Sequence, residues 1–129
     1  MRDQRGFTLV EIVITIVVLG LVMTGLGTLF ITIQRVQAQA TYTEMANRAA
    51  QREVESLRNG SYNNLTPGQT INFTSELPDT LPAGATGSVS VSEPVSGLRK
   101  VDVTVTYTYG GSTKNVTLSS LIGVLGITQ

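Results

Sequence analysis

Few side chains in this chain could do chemistry, and one of them stands in an unusual place. Glu11 lies near the start of an apolar run, "FTLVEIVITIVVLG", that begins at Phe7. Moving a carboxylate toward hydrocarbon is costly, and an ionisable residue kept in such a stretch marks function by default. Elsewhere the choice is narrow. The 129 residues include no histidine and no cysteine, which removes the commonest general base and metal ligand, thiolate chemistry and any disulfide framework. Glu53 and Glu55 are two apart on a predicted helix and face different ways, so they read as solvated charges rather than a catalytic carboxylate pair. Glu76, Asp79 and Glu93 fall in loop-like sequence, where their spacing fits no calcium-loop pattern. The expectation is a protein with no metal, no cofactor and no enzymatic activity.

The element that positions Glu11 is the apolar run itself. From Phe7 to Ile33 only Glu11 and scattered Thr and Gly interrupt it, about 27 residues or roughly 40 Å of helix at 1.5 Å per residue. A hydrocarbon core is about 30 Å thick, so the run can span it. Arg2 and Arg5, against Asp3, precede it in "MRDQRG", which predicts a cytoplasmic N-terminus and a C-terminus on the far side of the membrane. A secretory signal peptide would have an apolar region of about 7–15 residues and a small-residue cleavage site. This run is longer and ends in "FITIQRVQ".

"RGFTLVEIVITIVVLG" resembles the N-terminus of bacterial type IV pilins and pseudopilins. Further along, "ANRAAQREVESLRNGSYNNL" and "LRKVDVTVTYTYGGSTKNVTLSSLIG" are similar to the helix end and closing hairpin of minor pilins and minor pseudopilins. The resemblance implies a leader, residues 1–6, cut after Gly6 by the prepilin peptidase on the cytoplasmic side. It implies N-methylation of the new N-terminal residue, Phe7, and pairing of Glu11 with the Phe7 ammonium of a neighbouring subunit in a filament. Pairing within one chain is the alternative, since positions four apart share a helix face. Glu11 would lie only about 6 Å deep, one turn in, where the cost of a charge is below the roughly 2.5–3.5 kcal/mol of a helix centre and the helix dipole favours an anion. The implied partners are the peptidase, other pilin subunits, an assembly platform membrane protein with its ATPase, and lipid before assembly.

No proline interrupts residues 7–66, so the helix should continue past the apolar run to about Arg58. Tyr42, Met45, Ala46, Ala49, Ala50, Val54 and Leu57 form an amphipathic stripe suited to the core of a head domain. Glu44 and Arg48 are spaced for an ion pair, and Gly60 is placed for a C-cap. Residues 61–98 read as loops holding short strands at "TINFT" and "SVSVS". The clearest strand is "RKVDVTVTYTY", with Val101, Val103, Val105, Tyr107 and Tyr109 alternating with polar residues; "GGST" turns it and "KNVTLSSLIGVLG" returns. The fold expected is α+β, with residues 7–33 as a transmembrane half-helix, 34–59 as an amphipathic half, and 60–129 as a head of three or four antiparallel strands on the stripe, the lollipop implied by the resemblance. Gly20, Thr24 and Thr28 could form a small-residue face for helix packing. Asn64, Asn72 and Asn115 begin N-x-T triplets that read as β-rich composition. Formal net charge is zero, and no basic or aromatic patch suggests nucleic acid.

These features converge on a structural subunit, minor pilin-like, of a type IV pilus or related filament, anchored in the inner membrane before it enters a periplasmic or cell-surface filament. The alternatives are a type II secretion pseudopilin and a filament-tip subunit that binds or adheres through its loops.

Overall fold

The computed structural model describes residues 6–123. The chain divides into two compact units, 1–38 and 39–129, and a single helix, α1 (Leu9–Asn59), runs through both. Of the leader expected over residues 1–6, only Gly6 falls among the described residues, and the end of the predicted return strand, 124–126, lies outside them.

In the first unit α1 carries apolar side chains on all sides. Every large apolar residue from Leu9 to Val36 is at least 51% exposed, and the helix is long and apolar enough to cross a membrane. A helix satisfies its own backbone hydrogen bonds, the condition for entering lipid. Its threonines do the same for their hydroxyls. Thr15 donates to the Glu11 carbonyl at 2.7 Å, Thr24 to that of Gly20 at 2.9 Å, Thr28 to that of Thr24 at 3.2 Å and Thr32 to that of Thr28 at 2.9 Å.

The second unit is α+β. The C-terminal part of α1 packs its stripe against a four-stranded antiparallel sheet in the order β1-β2-β3-β4. The strands are β1 (Thr70–Asn72), β2 (Thr86–Val95), β3 (Leu98–Tyr109) and β4 (Ser112–Gly123). Ala46, Ala49 and Ala50 of α1 are buried with Val89, Val91, Val101, Val103, Val105 and Tyr107 in one core, and Tyr42, Met45, Val54 and Leu57 pack around it. The hydroxyl of Tyr107 lies 2.8 Å from that of Thr43, and the Tyr42 ring is tilted against the rings of Tyr107 and Tyr109. Alternation in β3 places its valines inward and Asp102, Thr104 and Thr106 on the outer face. There they align with Ser90, Ser88 and Thr86 of β2 and with Ser119, Thr117 and Asn115 of β4. Gly110 and Gly111, at φ 60° and 77°, make the two-residue turn from β3 to β4; positive φ at both positions is what a type I′ hairpin turn needs.

Four local expectations change. α1 begins at Leu9 rather than Phe7. The β2 strand is longer than "SVSVS", taking in Glu93, Pro94 and Val95 with an irregular register between Ser92 and Val95; proline is tolerated at such a point. Strand β1 is shorter than "TINFT", because Phe73 turns into the core and leads a short 3₁₀ turn, Thr74–Glu76. Gly87 makes room for that ring: a Cβ there would stand 2.7 Å from it. Finally, Gly60 follows the last residue of α1 and donates to the Ser56 carbonyl at 3.0 Å, but at negative φ, so it is not the left-handed cap the sequence suggests.

Val103 is fully buried at the centre of this core. Val103→Asp should destabilise the second unit by about 3 kcal/mol or more, the cost of an unpaired buried charge. Limited proteolysis checks this: the variant should be degraded under conditions the parent survives, and equal resistance would remove β3 from the core.

Candidate functional site

Gly6, Phe7 and Thr8 precede the helix in non-helical, exposed backbone. The Gly6–Phe7 bond is thus outside the hydrogen-bonded ladder of α1. Thr8 then starts the helix. Its carbonyl accepts from Ile12 N–H at 3.2 Å, and its side-chain oxygen accepts from Glu11 N–H at 3.3 Å. This is the threonine half of a capping box, and the T-x-x-E spacing of Thr8 and Glu11 is its sequence signature, a signal that the reading of Glu11 as a lone carboxylate passes over. Glu11 lies in the first turn, where the helix dipole favours its charge. Its carboxylate is exposed and has no ion-pair or hydrogen-bond partner among the described residues. Thr8 therefore orders the backbone without engaging the Glu11 carboxylate.

Gly20, Thr24 and Thr28 fall on one exposed face of the same helix. Space around each glycine is open, with nothing within 4 Å of a Cβ at Gly20, Gly25 or Gly27. The hydroxyls of Thr24 and Thr28 turn inward to their own helix, so the face offers shape rather than hydrogen bonds.

The second unit contains charged pairs beyond the one the sequence suggests. Glu44 and Arg48 form the expected pair at 2.5 Å. Arg99 is more consequential. Its Nε donates to the Leu65 carbonyl at 3.0 Å, its guanidinium sits 4.9 Å above the Tyr62 ring, and Nη1 faces the Glu93 carboxylate. One side chain thus ties the segment after α1 to the β2–β3 hairpin. The Arg99 guanidinium, helped by the Gly97 N–H, holds Glu93 below the ordinary carboxylate range. The Ser119 hydroxyl, then Lys100, do the same for Asp102. Glu53 corrects the expectation of a solvated charge. It is only 8% exposed and falls in the buried stripe of α1 with Ala46, Ala49 and Ala50. Burial first, and the charge of Glu76 second, push its carboxyl above the ordinary range. Glu55 remains exposed beside Arg58.

Residues 1–27 match the family described as the prokaryotic N-terminal methylation motif. That motif is the class III signal of type IV pilins and pseudopilins, and it ends within the apolar part of α1. The chain carries the signal of a type IV pilin-like or pseudopilin precursor, and its α+β architecture is pilin-like. Such a signal implies processing by a prepilin peptidase and assembly with other pilins. No curated protein and no solved structure matches the chain.

The carboxylates set an unusual pH response. Glu53, with its raised pKa, contributes stability that is full below the ordinary range and lost as pH rises through the raised value. Glu93 and Asp102, with lowered values, contribute stability present above that range and lost as pH falls through them. The thermal midpoint should therefore rise as pH is lowered through the raised value of Glu53, pass a maximum near the ordinary carboxylate range, about pH 4–5, and then drop. Glu53→Gln should flatten the neutral limb and leave the acid limb. A parent midpoint that shows no rise anywhere as pH is lowered from neutrality to the ordinary carboxylate range would contradict the burial of Glu53.

Proposed function

We propose that this chain is a structural subunit of the minor pilin kind, made as a precursor, cleaved between Gly6 and Phe7, methylated at Phe7 and assembled from the inner membrane into a type IV pilus or related filament. The observation that carries the reading is the methylation motif at residues 1–27 leading without a break into an exposed apolar helix. Such a surface belongs in lipid or against other apolar helices, and a subunit that moves from membrane to filament meets each in turn. In this reading the chain is a peptidase's substrate and does no chemistry of its own. Its lack of histidine and cysteine supports that.

Cleavage creates an ammonium on Phe7, one helical turn from Glu11. The Glu11 carboxylate, which the Thr8 cap does not engage, is the natural partner for the ammonium of a neighbouring subunit. The same partnership places the subunit below the filament tip, because a tip subunit has no neighbour above it. The glycine and threonine face at Gly20, Thr24 and Thr28 would let neighbouring helices approach closely. The membrane platform and its ATPase would drive insertion, with the N-terminus cytoplasmic and the second unit outside.

Two experiments test this. Gly6→Leu should leave the precursor full length in the membrane, because the peptidase must approach the backbone closely. Mass spectrometry of the parent's mature N-terminus should begin at Phe7, and any other start contradicts the cleavage site. Glu11→Ala should insert and be cleaved normally, since hydrophobicity drives insertion, yet enter filaments poorly. An ammonium left unpaired in lipid costs a few kcal/mol, on the order of a broken buried ion pair. Glu11→Gln should fail similarly if charge is what matters. Quantifying each variant in sheared filaments and in membranes decides it, and normal incorporation of both would sink the pairing role.

A further inference from the structure

Among the described residues, the exposed large apolar side chains fall in two places. Phe7 and those of α1 from Leu9 to Val36 belong in lipid or against other apolar helices. The other two, Val95 and Leu121, are in the second unit at 63% and 58% exposure. They stand together. Val95 aligns with Leu98 across the β2–β3 turn, and Leu121 aligns with Lys100, two residues further along β3. Aligned residues share a face of the sheet, and so do residues two apart. Val95, Leu98 and Leu121 therefore lie on the outer face, which is otherwise polar. With Pro94 and the stem of Lys100 they line an open apolar cleft of about 490 Å³. A single exposed apolar residue needs no explanation, but a cluster in a cleft marks a place where something packs.

We propose that residues 124–129 of the same chain, "VLGITQ", seat in this cleft and cover it. Their composition fits: three of the six are large and apolar, and none is charged. Their starting point fits as well. Gly123, the last residue of β4, aligns with Leu98, so the segment sets out from the wall of the cleft. A Cβ at Gly123 would meet only Leu98, at 3.8 Å, so the outer side is open there and the chain can bend across it. The reach is sufficient. Leu98 and Val95 lie one and two strands from Gly123, roughly 5 and 10 Å at the spacing of paired strands. Leu125 and Ile127 follow Gly123 by two and four residues, about 7 and 13 Å of extended chain. Two apart, their side chains face the same way in an extended segment, onto Leu98 and Val95, with Leu121 alongside. A second copy of the chain is the rival occupant. It would have to displace a segment tethered at the cleft, whose effective concentration is millimolar or more.

The chain has no cysteine, so an introduced pair reports only on itself. In the full chain in detergent micelles, Val95→Cys with Ile127→Cys should oxidise to a disulfide within one chain, at a rate independent of protein concentration. Thr106→Cys with Ile127→Cys is the control. Thr106 lies on the same face but eight residues along β3 from Leu98, roughly 26 Å away and beyond the reach of Ile127, so this pair should stay reduced. A second measurement needs no cysteine. Leu125→Ser with Ile127→Ser should lower the unfolding midpoint by about 5 °C, the loss of two packed apolar side chains. Leu121→Ser should lower the midpoint in the parent and change it little in the Leu125→Ser, Ile127→Ser background, as coupled neighbours do. The proposal is overturned if the Val95→Cys, Ile127→Cys chain forms disulfides between chains, which would put a second copy in the cleft, or if it oxidises no faster than the control. It is also overturned if Leu121→Ser lowers the midpoint as much in the serine background as in the parent.

Discussion

Burial of Val101, Val103, Val105 and Tyr107 on one side of β3 governs what surrounds them. These four residues are nearly or fully inaccessible and share one core with the alanines of α1. A strand with one buried face has its register fixed, because a slip of one residue would bring Asp102, Thr104 and Thr106 inside. Both neighbours inherit that constraint: β2 and β4 pair with β3 along most of its length and present matching polar residues to the outside. The small side chains of α1 belong to the same arrangement, with larger residues such as Tyr42 and Leu57 packed around the core rather than at its centre. The fold is thus built outward from β3.

What the sequence shows and what it hides follow from the range of the forces. The alternation of β3, the paired glycines of its turn and the stripe of α1 are periodic signals, and each reappears at its place. The N-terminal motif is contiguous and legible as such. Hidden are the features that depend on distant partners. Arg99 meets Leu65, Tyr62 and Glu93 only after folding. Phe73 turns inward because Gly87, on the next strand, leaves room for its ring. Glu53 reads as solvated by its chemical type, although its phase on the helix matches the buried alanines before it. Taking phase before type would have placed it inside.

The first unit obeys a different rule. In lipid, a helix with apolar side chains all round has no hydrophobic drive toward a tertiary core of its own. Its polar atoms must therefore be settled locally, and the threonines donating back to carbonyls one turn earlier do that. Thr8 settles one of the free N–H groups at the helix start. The result is a rod whose specificity is left to shape, to the open glycines, and to one acid at its end.

The order of strands, β1-β2-β3-β4, carries a consequence for how the head is made. Each strand pairs only with its neighbours in sequence, and two of the three connections are tight turns, at Ser96–Gly97 and Gly110–Gly111. Closing a short loop takes little entropy, and topologies rich in local contacts fold fast. The β2–β3–β4 meander can thus assemble as it emerges, without waiting for a distant strand to return. The only long-range docking left is that of the helix stripe, which is already in place when the sheet appears because it precedes the sheet in the chain. For a protein whose N-terminal segment suits a membrane, that order shortens the time in which hairpin edges lie open to other chains.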